Sequence, residues 1–210
     1  MKITIVANGY LDQDFLRAIS AVDLVIGVDR GAYWLLEHGI TPQIAIGDFD
    51  STSVHEFSVI KKKIRTIKKF PSEKDHTDLE LAIDHAISLH PKEVVIYGAS
   101  GGRLDHTLAA VELLTKFLAQ QIHAVIRDQQ NEIFLVSKRH TFPRLKKYQY
   151  FSILPFGKQV IVSLRGFKYE ASKRTIIQGS TLGISNEIVD KLAIVEIHQG
   201  IALVVKSKDK

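Results

Sequence analysis

The chain reads as an α/β protein followed by an all-β one: an N-terminal open parallel sheet flanked by helices, then a C-terminal antiparallel β-sandwich. Three observations predict this. Six short apolar runs alternate with helix-period segments in the first half, the turns that close five of those runs are rich in aspartate and glycine, and past residue 131 only β-type runs and turn signals remain. The expected division is therefore an α/β domain over 1–130 and a β-sandwich over 131–210.

Taken in order, the run Ile3–Ala7 leads into Asn8-Gly9, and Leu24–Val28 into Asp29-Arg30-Gly31. Tyr33-Trp34-Leu35-Leu36 opens a short helix that stops at Gly39 and precedes Pro42. Ile44–Ile46 ends in Gly47-Asp48-Phe49-Asp50-Ser51, and Ile64–Ile67 leads to Lys74-Asp75-His76-Thr77-Asp78. Leu79, Ile83, Ala86 and Ile87 share one helical face, and Leu104, Leu108, Val111, Leu114 and Leu118 share another. Between them Val94–Tyr97 runs into Gly98-Ala99-Ser100-Gly101-Gly102-Arg103-Leu104-Asp105, and Ala124–Ile126 is the sixth run. These runs lack strict alternation, as strands covered on both faces should. Right-handed crossovers make them parallel, so the five turns line one sheet edge, where open α/β sheets bind ligands. In the second half the expected strands are Glu132–Ser137, Tyr148–Pro155, Val160–Phe167, Ile176–Gln178, Leu192–His198 and Ile201–Lys206, with turns at Phe156-Gly157-Lys158 and Gln199-Gly200.

Composition narrows the function classes. The 210 residues are 45% apolar and 24% charged, as in ordinary globular proteins. With no cysteine there is no disulfide, thiolate nucleophile or thiolate-held metal, which suits a cytoplasmic protein. Met1–Asn8 is too short for a signal segment, and no apolar stretch approaches membrane-spanning length, so no membrane partner is expected. The net charge is +5, and Lys61–Lys69 is densely basic. It lacks the interleaved aromatics of a nucleic-acid surface and reads as a solvated helix end followed by a strand, so no nucleic-acid partner is expected.

The chemistry lies in the acidic turns. If 48–50 is extended, Asp48 and Asp50 point the same way while Phe49 turns into the core. Asp29, Asp75, Asp78 and Asp105 follow other strands. Two unit charges about 6 Å apart repel by roughly 3 kcal/mol at an effective dielectric near 20. A cleft of such pairs calls for a cation, and hard oxygen donors completed by water and phosphate describe magnesium. Taken singly, Asp75, Thr77 and Asp105 read as helix caps rather than site residues, and Thr77-Asp78-Leu79-Glu80 has the pattern of a capping box. Their joint occurrence at several strand ends favours the metal. The glycine turn 98–103 suits a phosphate at a helix start, although it is neither a Walker loop nor a dinucleotide fingerprint. Arg103 and Lys74 supply cations beside the aspartates, and His76 and His106 either touch phosphate or pack the helix starts.

In sequence order, Gly47-Asp48-Phe49-Asp50-Ser51, Lys74-Asp75-His76-Thr77-Asp78 and Gly101-Gly102-Arg103-Leu104-Asp105-His106 resemble the motifs of the thiamine pyrophosphokinase family. The resemblance runs across the whole chain, including the change to an all-β second half. It implies transfer of a diphosphate group from ATP to the hydroxyl of thiamine, with AMP released and Mg2+ at the aspartates. It also implies a homodimer, with thiamine between the α/β domain of one subunit and the sandwich of the other. Carried onto this chain, the metal ligands are Asp29, Asp48, Asp50 and Asp75, and the catalytic carboxylates are Asp48, Asp50, Asp75, Asp78 and Asp105. The ATP and phosphate contacts are Asn8, Gly9, Asp29, Lys74, Gly101, Gly102, Arg103 and His106. Tyr169, in Gly166-Phe167-Lys168-Tyr169, and Ser185-Asn186 match family positions at the thiamine ring. Departures are Arg30, where many members have glycine, and Phe167, where leucine is usual. The alternatives are a diphosphokinase for a pterin or related alcohol on the same scaffold, and a non-catalytic nucleotide-binding module.

Overall fold

The computed structural model describes residues 1–73, 75–144 and 147–209. The chain forms two compact units, Met1–Gln129 and Gln130–Lys210.

In the first unit six parallel strands, β1 (Lys2–Val6), β2 (Leu24–Val28), β3 (Ile44–Gly47), β4 (Thr66–Lys69), β5 (Glu93–Tyr97) and β6 (His123–Arg127), lie in the order β4-β3-β2-β1-β5-β6. The order reverses between β1 and β5, which creates the crevice typical of ligand sites in such sheets. Among the described residues five α-helices connect the strands: α1 (Leu16–Ser20), α2 (Arg30–Glu37), α3 (Val54–Lys63), α4 (Asp78–Ser88) and α5 (Leu104–Ala119). One core cluster joins Val6, Val25, Val95 and Tyr97 of the sheet to Phe15, Ile19 and Leu35. Alternate residues such as Ile5, Ile26, Ile46 and Ile96 are fully buried on the opposite face. There α4 packs along β1, β2 and β3, and α5 along β6. A second cluster joins α2 and α3 to Ala45 and Phe49.

Two helices differ from expectation. The buried stripe of α5 is Ala110, Leu114 and Phe117, which leaves Leu104 and Leu108 exposed at 69% and 58%. The large Phe117, which the sequence reading omitted, takes the core position instead of Leu118. The complete capping box is at Ser53, not Thr77: Ser53 Oγ accepts from Glu56 N–H while Glu56 Oε2 accepts from Ser53 N–H at 2.7 Å. Thr77 does cap α4, accepting from Glu80 N–H, but the Glu80 carboxylate is engaged elsewhere. The basic run ends α3 and forms β4 as expected, and Lys61 and Lys69 sit over the Phe57 ring at 4.7 and 5.0 Å.

In the second unit every paired strand is antiparallel. Strands β7 (Asn131–Val136), β13 (Ala202–Ser207) and β9 (Tyr150–Pro155) form one sheet segment. Strands β11 (Ala171–Ile177), β10 (Gln159–Arg165), β12 (Leu192–Gln199) and β8 (His140–Pro143) form the other. A chain of rings from Phe134 through Phe142 and Phe151 to Phe167, with centroids 5.0–5.7 Å apart, ties the two layers of the sandwich together. The short β8 has no signal in the sequence, and its Pro143 is tolerated because the strand is an edge. Strand β11 extends well before Ile176 because its edge residues Ser172–Thr175 are exposed and polar, so they form no apolar run. Among the described residues no helix is long and apolar enough to cross a membrane.

Candidate active site

The carboxyl ends of β2 and β3 and the start of α4 bring three carboxylates together. Asp29 directly follows β2 in a backbone conformation rare for a side-chain-bearing residue, φ 47° and ψ −125°. Its N–H donates to Ile46 O at 3.0 Å, and its carbonyl accepts from Ala32 N–H as α2 begins. Its carboxylate turns toward β3, where Oδ1 accepts from Phe49 N–H at 3.1 Å. Any side chain at position 47 would collide with that oxygen, so Gly47 is what lets Asp29 reach across.

Phe49 has φ 63°, so 48–50 is not the extended segment expected from alternation. The ring is buried against Phe57 at 4.9 Å, and the left-handed turn sends its neighbours in different directions. Asp48 Oδ1 accepts from Asp50 N–H at 3.0 Å, and Asp48 remains half-buried while Asp50 is exposed. Asp78, the first residue of α4, completes the group: one carboxylate oxygen each from Asp29, Asp48 and Asp78 lies within 4.8 Å of the others. Asp50 and Asp75, expected among the metal ligands, stand outside this trio, and Asp78 is inside it.

The electrostatics match that crowding. Burial first, then the Asp78 carboxylate, push Asp29 from the ordinary 3.8 up to about 7; the Phe49 N–H opposes the shift, while Asp48 and Asp50 add to it. Three anions this close repel by about 3 kcal/mol per pair at an effective dielectric near 20. A hard divalent cation with oxygen donors relieves this, and the donor set, all carboxylate and open toward solvent at Asp50, fits magnesium rather than a softer metal.

The other expected residues of the first unit that the structure describes follow β1, β4 and β5 at the same sheet edge. Asn8 and Gly9 are exposed after β1, and Gly9 N–H donates to Gly98 O at 2.7 Å, lacing the two turns at the β1/β5 switch point. Gly101 and Gly102 are exposed beyond β5; Gly101 has φ 79°, and a Cβ there would press on the Tyr10 side chain. Arg103 stands at the N-cap position of α5, makes no side-chain capping bond, and grips Asp105 through Nε–Oδ1 at 3.1 Å and Nη2–Oδ2 at 2.5 Å. The guanidinium therefore holds the Asp105 carboxyl below its usual range. His106 is exposed one residue on, Asp75 is exposed before α4, and Lys74 lies outside the described residues.

In the second unit Tyr169 is 65% exposed, and Asn186 is buried beside it. The Asn186 amide accepts from the N–H groups of Tyr169 and Glu187 and donates to Tyr169 O at 2.8 Å. That uses three of its four hydrogen-bonding positions, so its first task is to hold the Tyr169 backbone. Ser185, at φ 57°, donates its N–H to Ser152 Oγ. Nearby, Arg144, Tyr148, Tyr150, Phe151, Glu187 and Lys206 line a cavity of about 580 Å³.

Some supporting residues escaped the sequence reading. Arg30 Nε donates to Glu56 Oε1 at 3.0 Å, which ties the start of α2 to the capping box of α3. The Ser-x-x-Glu pattern at 53–56 was a usable signal for that element. Ser100 Oγ donates to Asp128 at 2.7 Å, so the turn after β6 also reaches this edge.

A family model described as the thiamin pyrophosphokinase catalytic domain matches residues 15–126, and one for the vitamin B1 binding domain matches 139–202. A protein named thiamine pyrophosphokinase from Bacillus subtilis is 36% identical over 99% of both chains. The crystal structure of thiamine pyrophosphokinase from that organism superposes with a TM-score of 0.93 over 100% of both chains. The thiamin pyrophosphokinase structure from Geobacillus thermodenitrificans is 35% identical, with a TM-score of 0.90 over 100% of this chain and 99% of that one. With two domain models matched in order and full-length similarity of this degree, the chain belongs to the thiamin pyrophosphokinase family.

Proposed function

We propose that the chain is an ATP-dependent diphosphotransferase that makes thiamine diphosphate and AMP from thiamine and ATP. The observation that carries the reading is the Asp29–Asp48–Asp78 trio at the carboxyl edge of a parallel sheet, in a chain of this family. These three carboxylates would hold Mg2+, which when bound neutralises charge on the polyphosphate.

The protein's own residues do the rest. Gly101-Gly102 offers backbone N–H groups and the exposed Asn8 its side-chain amide to the nucleotide phosphates, while the Gly9 N–H stays on Gly98 O, and Arg103 exchanges its fork on Asp105 for phosphate oxygens. The thiamine hydroxyl oxygen attacks the β-phosphorus in line. The bond from that phosphorus to the α–β bridging oxygen breaks, and AMP leaves with the electron pair. The alcohol proton passes to a carboxylate outside the trio, Asp50 or Asp75.

In this reading the first unit handles ATP and magnesium, and the second holds thiamine through Tyr169, Ser185 and Asn186. An aromatic face beside hydrogen-bonding groups suits a cationic heteroaromatic ring. We further propose a homodimer acting in the cytoplasm. Exposed Leu104 and Leu108 and the absence of cysteine support these two points respectively. The test is product identity. With magnesium, thiamine and ATP, chromatography should show AMP and thiamine diphosphate in equal amounts; ADP as the sole nucleotide product would contradict the reaction.

A further inference from the structure

We propose that Lys116, acting through Glu80 and His76, is a positioning residue that sets Asp78 within the carboxylate trio; this rests on the metal-dependent reading above. Lys116 lies in the last turn of α5. Its Nζ is 2.7 Å from Glu80 Oε1 and 2.8 and 2.9 Å from the two oxygens of Asp84. Glu80 and Asp84 are one turn apart on the same face of α4, so a single ammonium closes on two successive turns of the neighbouring helix.

Glu80 passes the restraint backward along the chain. Its other oxygen, Oε2, is 3.2 Å from His76 Nδ1, and its N–H donates to Thr77 Oγ1. Both ends of Glu80 therefore grip the two residues immediately before Asp78. Further along α4 a separate tie runs from Lys68 Nζ to His85 Nδ1 at 2.9 Å.

The Lys116–Glu80 contact is partly shielded, with side-chain exposures of 32% and 20%, whereas His76 and Asp84 are 55% and 47% exposed. The shielded pair is screened less than an exposed one. Lys116 is also the first cause holding the Glu80 carboxyl below its usual range. Without the ammonium, Glu80 and Asp84 would place two carboxylates on successive turns of α4 with no counter-charge from Lys116. Lys116 thus links the last turn of α5 to the first two turns of the helix that begins at Asp78.

The experiment compares Lys116→Met, Lys116→Arg and Glu80→Gln with the unaltered chain, and uses Lys2→Met as a control that breaks the Lys2–Glu93 pair away from the site. Three quantities are read: the magnesium concentration giving half-maximal rate, Mn2+ affinity from paramagnetic resonance titration without turnover, and melting temperature. Lys116→Met and Glu80→Gln should raise the magnesium requirement and weaken Mn2+ binding by about 10-fold, as groups that orient metal ligands commonly do, with kcat at saturating metal within about 3-fold. Lys116→Arg should restore most of that loss. Equal metal affinity in all variants, with only the melting temperature lowered, would mean a plain helix staple and overturn the proposal. A wild-type chain that makes AMP but shows no effect of Lys116 sinks this inference alone; a wild-type chain that makes no AMP sinks the enzymatic reading instead.

Discussion

Replacing Asp29 with asparagine should stabilise the metal-free protein while destroying its activity. In the fold the Asp29 carboxyl is raised from 3.8 to about 7, chiefly by burial and by Asp78. At ~1.4 kcal/mol per pH unit, that rise represents up to ~4 kcal/mol of native-state destabilisation once the group is ionised. A group whose folded value is raised contributes stability that is complete below its unfolded value and lost as pH climbs through the folded one. The stability of the wild type should therefore fall between pH 3.8 and about 7 relative to a variant with no charge at this position. Asparagine keeps an oxygen for the Phe49 N–H and removes the charge. Urea unfolding with a chelator present, from pH 4 to 8, should show the two proteins nearly equal at the acid end. The variant should be more stable by a few kcal/mol at pH 8. Added magnesium should narrow the gap, because only the wild type gains binding energy. A variant that is no more stable at pH 8, or a gap independent of pH, would refute the account of Asp29.

Four further substitutions separate chemistry from scaffold. Asp48→Asn and Asp78→Asn should each lower kcat by about 10²–10³ with little change in the circular dichroism melt, the scale expected for a lost charge-stabilising group. Gly47→Ala sets a methyl group against the Asp29 carboxylate and should cost roughly 1–3 kcal/mol in denaturant unfolding along with metal binding. Ser53→Ala removes the capping-box acceptor and should cost about 1 kcal/mol while leaving the rate unchanged in a steady-state assay.

What could be read from the residues follows physical lines. The central parallel strands were legible because both their faces are covered, so Ile3, Ile5, Val25, Ile26, Val94 and Ile96 fall in largely apolar runs, whereas the edge strand β4 has no buried residue. Strand β11 was mostly hidden for the opposite reason, since an exposed edge carries Ser172, Lys173 and Arg174 and looks like a loop. That acidic turns would share one edge was legible from the alternation of strands and helices. Which oxygens meet was not. A buried phenylalanine at φ 63° is rare enough that no spacing rule anticipates it, and that turn is what separates Asp50 from Asp48. The replacement of Asp50 and Asp75 by Asp78 in the trio was likewise beyond reach, because it depends on where α4 begins against β2 and β3. Arg30 looked like a departure in the nucleotide pocket; its guanidinium turns to Glu56 on α3.

Because Phe49 is embedded among Ala32, Leu36, Ala45, Ile60 and Ile64, the aspartate before it takes its bearing from the hydrocarbon interior. Trimming Ile60, which meets no nucleotide, would loosen Phe49's seat and let Asp48 drift from its two companions. Random mutagenesis scored by growth should accordingly recover oily residues on α2 and α3 alongside the acidic ones, and with time a second core change that refills the lost volume should rescue them.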